Sequence, residues 1–186
     1  MHQHRKSATP YDSDILGISL EKGGTSVLAD AFLVKGRLSP EEINFFFAYG
    51  LLLQLCDDLQ DVKQDLKNDH NTIYSLTALN WPIDNITNAL FNLVDYVTGL
   101  IDELEVDNPS LFKNIIKRNC YLLIYFAISK NSKFYTKSFM KGIKTNLPYN
   151  LLYMKRLSKK LSRKYKKLKP YYEGKSVEDI LLEAIM

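Results

Sequence analysis

SPEEINFFFAYGLLLQLCDDLQDVKQDLK, residues 39–67, decides what kind of chain this is. It opens on Ser39-Pro40-Glu41-Glu42, an N-cap serine, a proline at the first helical position and the glutamate of a capping box. No proline follows before the polar break at 68–71, so one long helix is predicted over 40–67. At roughly 100° per residue, Phe45, Ala48, Leu52, Leu55, Leu59, Val62 and Leu66 make one apolar stripe, the face that packs on a core. Gln54, Asp57, Asp58, Asp61 and Asp65 fall in an arc of about 100° beside it. Upstream the same arc carries Ile43, Phe47, Gly50 and Leu51, so it faces inward there. Gln60, Lys63, Gln64 and Lys67 take the remaining side, the expected solvent face.

The acids are therefore segregated from the bases. Between 57 and 67 no Asp–Lys pair stands at i+3 or i+4, whereas Asp57, Asp61 and Asp65 stand at i, i+4, i+8. Such spacing sets like charges side by side, at a cost of a few tenths of a kcal/mol per pair. Carboxylates gathered beside a core stay ionised when a cation compensates them. An all-oxygen set suits Mg²⁺, which keeps several waters and is usually shared with substrate phosphates. The twelve-residue EF-hand pattern for calcium is absent, and His2, His4 and His70 have no zinc-ligand spacing. The competing reading of the acids is an exposed helix end.

Other helices follow from the same punctuation. One is predicted over 15–34, kinked or interrupted at Gly23-Gly24 and stopped by Gly36. A short helix is expected over 73–79. Ile86, Leu90, Leu93, Val97, Leu100 and Leu104 repeat at helical spacing, and further helices are expected over 109–129, 132–145 and 148–169. Pro109 and Pro148 fall at first-turn positions, and a short terminal helix is expected over 176–185. Residues 1–14 are polar and read as a disordered lead-in to one all-α domain over 15–186. No strand pattern, tandem repeat or long linker stands out.

The totals fit that picture. The chain has 186 residues, enough for one real core, and a hydrophobic fraction of 46% that is ordinary for a globular protein. Cys56 and Cys120 both lie in apolar runs, which suits a reducing, cytoplasmic setting rather than a disulfide framework. No apolar stretch approaches the ~20 residues of a membrane-spanning helix. The net charge of +4 conceals an asymmetry. Residues 155–169 carry nine Lys/Arg and no acid, leaving 16 bases against 21 acids elsewhere. That basic stretch is either a solvated helix face or a surface for an anionic membrane, nucleic acid or polyanionic substrate.

GLLLQLCDDLQD, residues 50–61, resembles the second aspartate-rich motif of the trans-prenyltransferases, a Gly, then Phe/Leu-Gln, then Asp-Asp-x-x-Asp. Gly50, Gln54, Asp61 and Asp65 also fit the related pattern of squalene and phytoene synthases, and both registers share Asp61. EKGGTSVLADAFLVKGRL, residues 21–38, is similar to the preceding helix, where prenyltransferases carry a Lys-Thr pair; Lys22 with Thr25 or Ser26 is the counterpart, not adjacent here. The resemblance is thus to the class I isoprenoid synthase superfamily, which includes class I terpene synthases, and it covers roughly 15–75.

It implies an antiparallel helical bundle around an apolar cavity. It also implies an Mg²⁺-dependent transferase or lyase acting on prenyl diphosphates by prenyl transfer, condensation or cyclisation through an allylic carbocation. Asp57, Asp61 and Asp65 would be metal ligands and Asp58 a ligand or its support. Lys22, Thr25, Ser26 and Gln54 would serve the diphosphate, and Phe46, Phe47 and Leu51 the cavity wall. The superfamily's first aspartate-rich helix has no counterpart here beyond Tyr11-Asp12-Ser13-Asp14. The expectation is a C-terminal portion of the fold, without its N-terminal helices, completed in a homo- or hetero-oligomer. Under that reading the apolar flanks of the first two helices lack cover. A non-catalytic subunit, or a binding module using the basic helix on a membrane surface, is the alternative. No nucleic-acid partner is expected.

Overall fold

The computed structural model describes residues 14–145, 147 and 149–172, with side chains as far as 164. Every regular element among the described residues is helical: α1 Ile15–Lys35, α2 Pro40–Lys67, α3 Ile73–Asn80, α4 Asp84–Gly99, α5 Pro109–Lys130, α6 Lys137–Lys144 and α7 Leu151–Tyr172. The all-α expectation holds. The chain separates into two compact units, up to Pro148 and from Tyr149 onward, a division inside the stretch expected to be one domain. The lead-in up to residue 13, Pro148 and the expected helix over 176–185 lie outside the described residues.

In the first unit α2 is the central element, and α1, α3, α4 and α5 all pack on it. Its start is built as its sequence demands, with the Ser39 hydroxyl accepting from Glu42 N–H and the Glu42 carboxylate from Ser39 N–H at 2.9 Å. Phe45, Leu52, Leu55, Leu59 and Val62 of its stripe are buried, while Ala48 and Leu66 are half-buried. They meet Leu90, Val94 and Val97 of α4 and Ile124 and Ile128 of α5 in one core. Each such side chain removed from water is worth about 1.5–3 kcal/mol before entropy is counted. α5 runs parallel to α2: Phe112 near its start lies 6.1 Å from Phe45, and Lys130 at its end reaches Asp61.

Three sequence expectations need correction. α1 runs through Gly23-Gly24 without interruption. The periodic segment from 86 is α-helical only to Gly99 and tightens into a 3-10 turn over Leu100–Glu103. The helix expected over 132–145 is broken: a 3-10 turn covers Ser132–Phe134, Tyr135 is extended, and Thr136 caps α6. The break has tertiary causes. Asp84 accepts from both the N–H and the hydroxyl of Thr136, and the Tyr135 hydroxyl meets that of Thr87 at 3.0 Å.

α1 spreads apolar residues around most of its circumference, interrupted by Ser19, Lys22, Ser26 and Asp30 on one edge. Its main neighbour is nevertheless α2 alone, and its buried residues are Ser19, Gly23 and Gly24. Leu33 and Val34 are 84% and 90% exposed, and Leu16, Ile18, Phe32 and, on α2, Ile43 are also open to solvent. The expected uncovered apolar flank is present on α1.

Candidate functional site between the first two helices

α1 and α2 cross antiparallel. Lys35 pairs with Glu42, Gly24 lies against the Phe47 ring, Gly23 against Gly50, and Ser19 against Asp58. The Gly23–Gly50 crossing leaves no space for a side chain. A Cβ on Gly50 would stand 2.2 Å from the Gly23 carbonyl oxygen, and one on Gly23 would stand 2.5 Å from that of Gly50. The glycine that matches the aspartate-rich pattern, Gly50, thus lets the two backbones touch. This register brings the N-terminal half of α1 alongside the aspartate arc.

Asp58 is the buried centre of that arc. The Ser19 hydroxyl donates to one of its carboxylate oxygens at 3.2 Å and the Gln54 amide to the other at 2.7 Å. Burial raises its pKa above the ordinary carboxylate value, opposed by these two hydrogen bonds and by the Lys22 charge, while Asp57 adds repulsion. Lys22 therefore acts electrostatically on the site from α1. By spacing, Ser26 shares the α1 edge of Ser19 and Lys22; the Thr25 hydroxyl donates to the Glu21 carbonyl of its own helix. Of the two matches for the Lys-Thr pair, Ser26 stands on the side of the site.

The other acids diverge. Asp61, half-buried, pairs with Lys130 at 3.1 Å, and Lys63 donates to the Lys130 carbonyl. Asp65, buried, accepts from the Thr72 hydroxyl at 3.5 Å and lies 3.8 Å from His70 Nδ1. Its pKa is raised first by burial, then by the charges of Asp58 and Asp61, against the opposing influence of His70 and Thr72. Asp57 is exposed. Among the described residues no three His, Cys, Asp or Glu side chains gather as a ready-made metal cage. Convergence of Asp57, Asp61 and Asp65 beside Lys22 is not what the structure has: hydrogen bonds and Lys130 do the compensating that the sequence assigned to a cation.

The donor set still fits Mg²⁺ of one kind. Both oxygens of Asp58 and of Asp65 already have partners, whereas Asp57 and Asp61, one helical turn apart, are accessible. Two carboxylates with water and phosphate oxygens suit an Mg²⁺ held jointly with a ligand, and not one caged by protein. Phe47 and Leu51 are half-buried on the same arc, and so is Phe46. Two contributors escaped the sequence reading. Ser19 stands three residues before Lys22 on one helix edge, a spacing that could have been noticed; Lys130 comes from the end of α5 and carries no local signal.

No family model, curated protein or solved structure matches the chain.

Proposed function

We propose that this chain supplies one wall of an Mg²⁺-dependent site for an isoprenoid diphosphate, with Asp57 and Asp61 as metal ligands. The observation that supports it above others is Asp58, a buried carboxylate fixed by Ser19 and Gln54 beside Lys22, where two glycines press α1 onto α2. A carboxylate so placed costs stability, which makes the position a candidate for function. Bound Mg²⁺ would supply positive charge for the diphosphate leaving group. Lys22 offers its ammonium to the same oxygens, while Ser19, Gln54 and Asp58 keep the α1–α2 register from which Lys22 and Asp61 project. Phe47, packed on Gly24, and Leu51 offer an apolar wall to the isoprenoid chain. The open apolar flank of α1 is where helices bearing a second set of carboxylates would close the cavity.

A second reading, a non-catalytic subunit of the same bundle, is favoured by the Lys130–Asp61 pair, which occupies a ligand shared by both motif registers. Thermal unfolding tests the site. Mg²⁺ with diphosphate should raise the melting temperature more than the two separate effects combined, since ligand binding to the folded state alone adds RT ln(1 + [L]/Kd). Asp61→Asn should abolish that synergy. Asp69→Asn should keep it, since Asp69 sits in a left-handed turn (φ 53°) that asparagine tolerates. Absence of synergy in the native chain, or its survival in Asp61→Asn, would sink the proposal. Turnover of a prenyl diphosphate separates enzyme from subunit.

A further inference from the structure

The second unit carries a different chemistry. α7 has nine lysines and arginines and not one acid over its 22 residues. At about 100° per residue, Met154, Leu157, Leu161 and positions 165, 168 and 172 share a sector about 80° wide, and the cations spread over about 220° of the rest. Lys155 and Lys159, Arg156 and Lys160, Lys159 and Arg163, and Lys160 and Lys164 are like-charged i, i+4 pairs that disfavour the isolated helix. A helix shaped only for solubility would alternate signs and relieve this repulsion. Apolar side chains are also open to solvent. On the apolar sector Met154 is buried and Leu157 half-buried, whereas Leu161, further along, is 43% exposed; Tyr153, just off the sector's edge, is 52% exposed and Tyr149 55%, the two rings 5.6 Å apart.

We infer that α7 is a peripheral membrane-binding helix, selective for anionic lipid. An acid-free cationic sector complements a negatively charged bilayer surface, and the open part of the apolar sector, at Leu161, is what an interfacial helix lowers into the acyl boundary. Paired tyrosines at one end suit the headgroup level, where their rings are half in water. Nucleic acid explains the charge but leaves the exposed Leu161 of the apolar sector without a role, since phosphate contacts need cations and no aliphatic surface. The inference stands apart from the diphosphate site. It rests on residues of the other compact unit, and the substitutions that test it leave Asp61 and Lys22 untouched.

The experiment is co-sedimentation of the full chain with vesicles of phosphatidylcholine alone and with added phosphatidylserine. Binding to the acidic vesicles should exceed binding to neutral ones at least tenfold and weaken as salt rises. A Lys159→Ser/Lys160→Ser/Arg163→Ser variant should lose about a hundredfold in affinity, roughly fivefold per cation near the surface. Leu161→Ser, on the apolar sector, should weaken binding with the salt dependence retained, which a purely electrostatic contact would not do. All these residues are exposed, and circular dichroism confirms that the variants stay helical. Equal binding to both vesicles, or none to either, overturns the inference. So does tighter binding to an RNA or DNA oligonucleotide that is indifferent to Leu161→Ser.

Discussion

Replacing Gly50 by alanine would put a methyl carbon 2.2 Å from the Gly23 carbonyl oxygen, with the Gly23 carbonyl carbon at 2.8 Å and Gly24 Cα at 3.0 Å. All three are backbone atoms, so no side chain can swing aside. Ordinary contact begins at 3.4 Å, so the two helices must part by about 1.2 Å. That separation takes the Ser19–Asp58 hydrogen bond from 3.2 Å to beyond 4 Å and opens the α1–α2 seam along its length. Overpacking of this kind costs about 1–3 kcal/mol. The lost buried hydrogen bond adds about 1 kcal/mol, and the better helix propensity of alanine returns about 1 kcal/mol. The net expectation for Gly50→Ala is a loss of about 1–3 kcal/mol, measured by urea unfolding. Because α1 rests mainly on α2, amide exchange should rise first across Ile15–Lys35, before the α2–α4–α5 core is affected. Gly142→Ala is the control: nothing lies within 4 Å of its added carbon, and helix α6 should gain up to about 1 kcal/mol. A Gly50→Ala chain as stable as the parent, with α1 equally protected, would refute the close-contact account of the seam.

Asp58→Asn should raise the melting temperature at neutral pH. Burial lifts the folded-state pKa of Asp58 above its ordinary 3.8, so ionisation in the folded chain costs stability. That cost is absent below the ordinary value and complete above the raised one, so the variant's advantage should fade as the pH falls through that window; an advantage independent of pH would contradict it. Asn131→Leu should cost about 1–3 kcal/mol in urea unfolding, because the buried Asn131 amide ties the end of α5 to the Leu59 and Gln60 carbonyls at 2.7 and 3.2 Å. A neutral outcome would mean that these bonds contribute little. Burial pushes the Cys56 thiol up to about 12 and Cys120 up to about 11, so neither should react with a thiol reagent at neutral pH until the chain is unfolded. Prompt labelling of the native protein would overturn the burial assigned to them.

What the sequence determined by itself is local. The capping box at Ser39–Glu42, the Pro109 start of α5, the stop at Gly36 (φ 78°) and the apolar stripe of α2 each depend on residues within a turn or two of one another, and all are found where they were expected. The breakdown of the 132–145 segment was not legible, because Asp84 and Thr87 act on Thr136 and Tyr135 from about fifty residues away. The partners of the acids divide in the same way. Segregation of charge on α2 could be read from spacing, and the Gln54–Asp58 contact is one turn of helix. Which carboxylate would be buried under Ser19, held by Lys130 or turned toward Thr72 depended on how α1, α5 and the α2–α3 corner pack. Gly23 and Gly50 show the difference most clearly. In sequence each glycine is a weak point in its own helix; in the packed pair their missing side chains allow two backbones to meet, a reason that exists only once both helices are in place.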